Sequence, residues 1–298
     1  MDYSYEESIG RNIGLFTPGD QEKIRNTTIS IVGVGGIGSW VTVMVAKTGF
    51  GNIIIVDKDE YELPNMVEQL FAKTDTFGKT KAETARQEAA KHGPFANIKA
   101  VVKDIRSVDD AKAVCRGADY IICGVDDAVA RVQVDRAGRE LGIPIIMAAN
   151  IGWRVTVSTH TPDGVGYEEH THQPSLGKEL TPQIAESMHL QQKVYIASIA
   201  GFNPDYGEKF LRGEVSYISY LAVPAAFAAS AAVNEVLKLI IGKGKTNLAP
   251  NGLTFDMLNM EHLDPKEIGM RTYRIMQAVM GKGIEEGIKT WKETRGET

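Results

Sequence analysis

Cysteine is scarce in this sequence. Only Cys115 and Cys123 occur in 298 residues, too few for a disulfide framework and not spaced as a metal pair, so a stapled secreted fold is excluded and a reducing compartment fits. An excess of one charge is also missing. The 33 basic residues stand against 38 acidic ones, a net charge of -5, and no dense Lys/Arg run is interleaved with aromatics, so duplex nucleic acid is not an expected partner. Every long apolar run is interrupted by charge or too short to span a bilayer, and Met1 to Glu7 is acidic and aromatic, unlike a signal or transit peptide. A soluble, cytoplasmic protein with no membrane partner is the expectation. There is no internal repeat or low-complexity segment.

What is present is a chain that is 43% hydrophobic, enough for one large α/β domain or two small ones. Residues 28 to 34 form a β-branched run ending in glycine, and a helix-like stretch follows from Ser39 to Lys47. A second apolar run, 53 to 56, ends at Asp57. A helix-favouring stretch covers 79 to 92, and further strands are expected at 98–102, 120–123 and 143–148. Alternating strands and helices predict an α/β fold, a mainly parallel sheet with helices on both faces. After Asn150 the texture changes. Residues 153 to 160 alternate like an exposed antiparallel strand, an extension in the C-terminal half, and 161 to 195 is polar without clear periodicity. The Ala-rich stretch from Ala222 to Ile241 predicts a helix, ended by Gly242, that packs closely either in the core or across a subunit interface. Charged amphipathic helices are expected from 267 to 298.

These shifts divide the chain into an N-terminal helical arm (1–27), a core (28–157), a specificity or crossover region (158–220), and the Ala-rich helix with the helical tail (221–298).

Gly33, Gly35 and Gly38 spell G-x-G-x-x-G between a strand and a helix, the signature of a Rossmann-like turn that lets backbone approach a ligand and aims a helix N-terminus at negative charge. Asp57, 19 residues beyond Gly38, stands where an acid accepts hydrogen bonds from ribose hydroxyls. On these features alone a nicotinamide- or flavin-dependent oxidoreductase is the leading reading. The plainer one is a glycine turn needed only for helix–strand packing.

The residues after Asp57 shift this balance. Asn65, Gln69, Gly78, Lys81, Asp126 and Arg131 fall in an order that a dehydrogenase does not require. Together with GVGGIGSW, VDKDEYELPNMVEQ, GKTKAETA, GVDDAVAR and NEVLKLIIGKGK, and with Arg11-Asn12 near the start, the sequence resembles the ThiF/MoeB/HesA and ubiquitin-activating family over about residues 8 to 157 and 220 to 245. The resemblance implies attack of a substrate carboxylate on the α-phosphorus of ATP, giving an acyl adenylate and pyrophosphate. It implies that Gly33, Gly35, Gly36 and Gly38 approach the nucleotide, that Asp57 binds its ribose, that Asn65 and Lys81 contact its phosphates, and that Asp59 and Gln69 also belong to the nucleotide site. Asp126 would hold Mg²⁺. Arg11 would reach across a homodimer to the partner's γ-phosphate, making Arg11, Lys81 and Asp126 the catalytic set.

Each has a plainer reading. Lys81 is otherwise a solvated helix-face lysine, Asp126 or Asp127 a helix cap, Asn65 a turn residue after Pro64, and Arg11 a lone arginine near a terminus.

The sequence also departs from the family. Where N-L-x-R-Q is common, it reads Asn65-Met66-Val67-Glu68-Gln69, placing a glutamate where an arginine grips the triphosphate. Either Glu68 points away and Lys73, Lys79 or Arg11 substitutes, or catalysis is lost. No thiol stands beyond the core, so no thioester or persulfide is expected on this chain, and Cys115 and Cys123 read as inert buried thiols. The zinc cysteines of many relatives are missing and no structural zinc is expected. In their place stand Glu168, His170 and His172, a weak metal candidate on one strand face, or solvated loop histidines. His160 and His189 have no assigned role.

The expected function is therefore an ATP- and Mg²⁺-dependent adenylyltransferase. Its substrate would be a carboxylate of a small molecule or peptide, or of a ubiquitin-like carrier protein. The alternatives are a catalytically silent regulatory or scaffold subunit and an NAD- or FAD-dependent oxidoreductase.

Overall fold

A computed structural model describes residues 4–215 and 217–296; residues 1–3 of the expected arm and 297–298 of the expected tail lie outside the described residues. The chain runs α1 (Tyr5–Ile9), α2 (Pro18–Asn26), β1 (Thr28–Val32), α3 (Gly36–Thr48), β2 (Asn52–Asp57), α4 (Lys81–His92), β3 (Asn97–Val102), α5 (Val108–Cys115), β4 (Tyr120–Cys123), α6 (Ala128–Leu141) and β5 (Ile145–Ile151). It continues through β6 (Arg154–His160), α7 (Tyr167–His170), α8 (Pro182–Ile199), α9 (Pro204–Arg212), α10 (Ala222–Ile241), β7 (Leu253–Asp256), β8 (Glu261–His262), α11 (Pro265–Lys282) and α12 (Ile284–Glu293).

All the strands lie in one sheet, ordered β3-β2-β1-β4-β5-β6-β7-β8. The pairs from β3 to β5 are parallel and those from β5 to β8 antiparallel. The parallel strands are the β-branched runs of the sequence. Ile29, Ile31, Ile53, Ile55, Ile121 and Ile122 are fully buried, because helices cover both faces. One cover consists of α3, α4 and α10, the other of α5 and α6. A third apolar cluster joins α8, α9, α11 and α12 around the fully buried Trp291, whose indole N–H donates to Ala197 O at 2.8 Å.

Several boundaries differ from expectation. The division at 157/158 cuts through β6, which is mostly buried rather than exposed, since α10 packs on it. β7 and β8 return to the sheet from the region expected to be purely helical. The polar stretch 161–195 holds α7 and the long α8, whose apolar residues cluster toward its C-terminal half. The Ala-rich helix α10 is a core element. Its alanines Ala225, Ala228, Ala229 and Ala232 are fully buried, and it packs against α3, β5 and β6. By length and composition alone α10 is apolar enough to cross a membrane, but 44% of that window is buried in the fold, as in a core helix.

Candidate active site

The strand order changes direction between β1 and β4, and open α/β sheets bind ligands in the crevice above the C-terminal ends of strands at such a point. Here a cavity of about 1040 Å³ opens there. It is lined by Gly33, Gly35 and Gly36 after β1, by Asp57 and Asp59 after β2, by Glu68, Gln69 and Lys81, and by Asp126 after β4.

Gly33 has φ +87°, and a Cβ there would lie 2.8 Å from Val125 N, so both its conformation and its closeness to the loop after β4 demand glycine. Gly38 serves differently. It lies within α3 and does not line the cavity; a Cβ there would sit 1.9 Å from Gly33 O. Its role is close packing of helix on turn.

Asp57 accepts from Val34 N at 2.7 Å and from Asp59 N at 2.8 Å. Burial pushes its carboxyl above the ordinary range, against the pull of those donors. Lys81 begins α4 yet is only 7% exposed, and its ammonium lies 3.7 Å from Asp59 Oδ2. That excludes the solvated-lysine alternative. Asp127, not Asp126, caps α6, accepting from Ala130 N at 2.7 Å, while the exposed Asp126 carboxylate has no hydrogen-bond or ion-pair partner among the described residues. The backbone carbonyl of Asp126 accepts from Gln192 on α8, and His189 contacts Asp127 Oδ2 at 2.9 Å, so α8 leans over this loop. That gives His189 a place the sequence did not supply.

Besides Gly38, two expected site residues, Asn65 and Arg11, are not brought to the cavity. Asn65 Oδ1 accepts from Glu62 N at 2.9 Å and caps the single turn Leu63–Val67, which is the turn reading. Arg11 is exposed in the turn Gly10–Asn12, away from the cavity lining, as a lone surface arginine would be. Glu68 does not point away. It is 7% exposed, lines the cavity, accepts from Gln69 Nε2 at 3.0 Å, and burial raises its carboxyl. Of the suggested substitute cations, Lys73 pairs with Glu88 at 3.1 Å, and neither it, Lys79 nor Arg11 lines the cavity.

The histidine candidate also changes. Glu168 is held in a bidentate pair by Arg136, both contacts at 2.8 Å, and the three residues lie in α7 and the turn after it rather than on a strand. Among the described residues no group of three His, Cys, Asp or Glu is assembled for a metal. His160 is fully enclosed between Ser158 Oγ and Val165 O, each at 2.9 Å, and burial lowers it to about 4.

The sequence reading missed the other half of the cavity. Asn150 from β5, Tyr167 and His170 to Gln173 around α7, Tyr195 of α8, Tyr220 and one face of α11 line it. Apart from His170 and His172, read from the sequence only as a weak metal candidate, no motif marks these residues. The only signal available was that 161–195 leaves and returns to the core.

A nucleotide fits this arrangement by its chemistry. Gln69 Oε1 is a buried acceptor without a partner among the described residues, the glycine turn leaves space that a side chain would fill, and Lys81 and Asp126 line the same cavity with opposite charges. The parallel sheet, the glycine turn and the acid ending β2 define a Rossmann-like α/β protein. Within that class, the sequence matches the ThiF family over residues 9–273, and the chain belongs to that family.

Among its relatives, the tRNA threonylcarbamoyladenosine dehydratase of Haemophilus influenzae is 28% identical over 131 residues, covering 44% of this chain and 50% of that protein. The adenylyltransferase and sulfurtransferase UBA4 of Saccharomyces cerevisiae is 32% identical over 132 residues, 44% of this chain and 30% of that one. A crystal structure of E. coli MccB with ATP matches with a TM-score of 0.62 at 22% identity, covering 82% of this chain and 64% of MccB. The chain thus spans half or less of the curated relatives it matches.

Proposed function

We propose that this chain is an ATP-dependent adenylyltransferase that activates a carboxylate as its acyl adenylate. One observation carries the reading: the glycine turn, Asp57, Lys81 and Asp126, scattered over about 90 residues of sequence, converge on one cavity at the C-terminal edge of the parallel strands. Family membership supports it, as does the nucleotide in the similar MccB structure.

In this reaction a carboxylate oxygen attacks the α-phosphorus of ATP, the bond to the β-phosphate oxygen breaks, and pyrophosphate leaves with the electron pair. The protein must hold a polyanion, offset charge developing at the α-phosphate and place the carboxylate in line. Asp57 and the turn at Gly33 to Gly36 would hold the nucleoside, and Lys81 would offset phosphate charge. Asp126 and phosphate oxygens would hold Mg²⁺, which supplies further charge neutralisation when bound; magnesium is commonly bound through one or two carboxylates together with substrate phosphates. Arg11 would complete the site of the other subunit in a homodimer. The acid could be a small molecule, a peptide or a ubiquitin-like carrier, and the cytoplasm is the expected location.

Both thiols favour direct use of the adenylate. Cys115 and Cys123 are fully buried and burial raises each, Cys115 to about 12, so neither is placed to accept an acyl group. A small nucleophile or a separate protein would attack it.

Glu68 supports a second reading, a nucleotide-binding member without catalysis, because a buried carboxylate in the cavity wall opposes phosphate binding. The oxidoreductase alternative gives Lys81 and Asp126 no shared task, and the family match disfavours it. The test is Mg²⁺-dependent release of pyrophosphate from ATP with candidate acids. Release supports adenylation. ATP binding without release from any acid supports the silent reading, and stabilisation by NAD or FAD alone sinks both.

A further inference from the structure

Apart from the glycine turn, the same cavity is lined by residues with buried polar atoms that nothing among the described residues satisfies. Asn150, 7% exposed on β5, has an Nδ2 without a partner, and Gln173, 8% exposed after α7, has an Oε1 without one. Both residues line the cavity. Most buried side-chain polar atoms in proteins are hydrogen-bonded, since leaving one unpaired costs about 1–3 kcal/mol.

The orientation of Gln173 follows from its neighbours. Thr171 Oγ1 donates to Tyr167 O at 2.7 Å, so it can only accept from Gln173 Nε2 at 3.1 Å, and this leaves the Gln173 carbonyl oxygen free. One amide donor and one amide acceptor, both uncharged, are thus offered to whatever enters, beside His170, whose Nδ1 is also buried without a partner among the described residues and whose imidazole is kept neutral by burial. Tyr167, Tyr195 and Tyr220 share the wall, and Tyr195 is pushed up to about 12 by burial, so it is a neutral phenol. Among the charged groups of the lining, the Arg131 guanidinium donates to Val125 O at 2.7 Å and Ala148 O at 3.0 Å, Asp264 caps α11, and Lys266 is exposed.

This wall is held in shape rather than loosely draped. Three residues of α6 grip the segment 164–178. Asp135 accepts from Tyr167 N at 3.0 Å, Arg136 pairs with Glu168 and donates to Ser175 O and Lys178 O at 3.1 and 3.0 Å, and Arg139 donates to Gly164 O at 2.9 Å. From α8, Gln191 donates to Thr171 O at 2.9 Å and His172 O at 3.2 Å. A buried ion pair and carbonyl anchors on both sides fix Gln173 before any ligand arrives, which lowers the ordering cost of binding.

We infer that this compartment binds the non-reacting part of the substrate through an uncharged amide or lactam, a group with one N–H to give and one C=O to accept, so that Asn150 and Gln173 determine specificity. The ligand C=O takes the Asn150 N–H and the ligand N–H gives to the Gln173 carbonyl, so that both side-chain amides are paired. That the bound molecule is the acid to be adenylated rests on the proposed function; that the compartment selects a neutral amide does not. A site built around paired hydrogen bonds rejects analogues that lack them, because its own groups are then left buried and unpaired.

The experiment is calorimetric binding of small acids to the full-length protein, with and without Mg²⁺ and the non-hydrolysable nucleotide AMPCPP. Succinamate carries a primary carboxamide and N-acetylglycine a peptide-type amide. Monomethyl succinate keeps the acceptor but has no donor, and succinate replaces the amide with a charge. We expect at least one amide acid to bind tenfold or more tightly than both controls. Succinamate ahead of N-acetylglycine would indicate a side-chain carboxamide, and the reverse order a peptide bond. Asn150→Leu and Gln173→Met should each erase the preference, and Asn150→Asp, which keeps the shape, should do so if the leucine variant fails to fold. AMPCPP affinity should be unchanged in each. Equal binding of amide, ester and diacid overturns the inference, as does a preference that survives the substitutions or no binding by any acid. Failure of AMPCPP to bind while the amide preference persists overturns adenylation alone.

Discussion

Asp57 ties the end of β2 to the glycine turn: its Oδ2 accepts from Val34 N at 2.7 Å while its Oδ1 accepts from Asp59 N at 2.8 Å. A carboxylate offers about four lone-pair positions, so two remain for ribose hydroxyls after both backbone bonds are made. The residue is therefore structural and ligand-binding together. In Asp57→Asn one oxygen becomes an NH₂ group facing a backbone N–H. Loss of that bond should lower stability by about 1–3 kcal/mol in denaturant unfolding and weaken ATP binding by about tenfold or more. Unchanged ATP affinity in a folded variant would remove Asp57 from the nucleotide site.

Asp126 makes the opposite case. It is exposed, caps nothing and pairs with nothing among the described residues, so folding gains little from it. Asp126→Ala should shift stability by no more than about 0.5 kcal/mol while abolishing Mg²⁺-dependent AMP transfer. Asp127→Ala, which removes the α6 cap, should instead lose about 1 kcal/mol of stability. Near-normal turnover in Asp126→Ala would sink the assignment.

The readable part of this site was the part built from backbone. Gly33 must be glycine for its φ and its neighbours, and Asp57 must follow a buried strand, so spacing alone locates them. Lys81 and Asp126 needed the family resemblance, because a lysine opening a helix and an aspartate before one are ordinary in any sequence. The fate of Glu68 could not be read, since its burial depends on Gly36, where a Cβ would come 3.0 Å from Glu68 Cγ, and on the approach of α10 through Ala225. Asn150 and Gln173 were invisible for a related reason. Their chemistry lies in what they lack, a partner among the described residues, and only the packed fold shows that. The fold showed the same split: the β-branched, largely buried parallel strands were legible, whereas β7 and β8 rejoin the sheet through short segments that carry no pattern.

Glu68 bears on whether the site is active. Removing its charge should help a polyanion bind, whatever the chemistry. In Glu68→Gln, which keeps the shape and the contact with Gln69, ATP affinity should rise about tenfold, equal to about 1.4 kcal/mol. If turnover rises with it, the glutamate merely restrains an active enzyme. If affinity rises and pyrophosphate release stays absent with every acid, the silent reading gains. If ATP affinity falls, Glu68 assists the nucleotide and the repulsion argument is wrong.

Asp135 gives the cavity wall a pH dependence. It is 2% exposed, and burial raises its carboxyl from the ordinary 3.8 to about 6, despite the Tyr167 N–H and the neighbouring Arg139 and Arg136; Glu168 pushes the same way as burial. The folded state therefore holds this proton between about pH 4 and 6 where the unfolded chain has released it, so this group favours folding least above pH 6, and the stability it takes away grows as pH rises through that window. The full effect is on the order of 3 kcal/mol. Asp135→Asn removes the titration but keeps an oxygen for Tyr167 N. Its melting temperature should exceed that of the parent protein at pH 7 and match it near pH 4. Because Asp135 holds Tyr167 beside the amide wall, the same variant should also flatten any change in amide-acid binding between pH 5 and 7. A difference between the two proteins that is independent of pH would mean that Asp135 is ionised throughout and acts only as a hydrogen-bond acceptor.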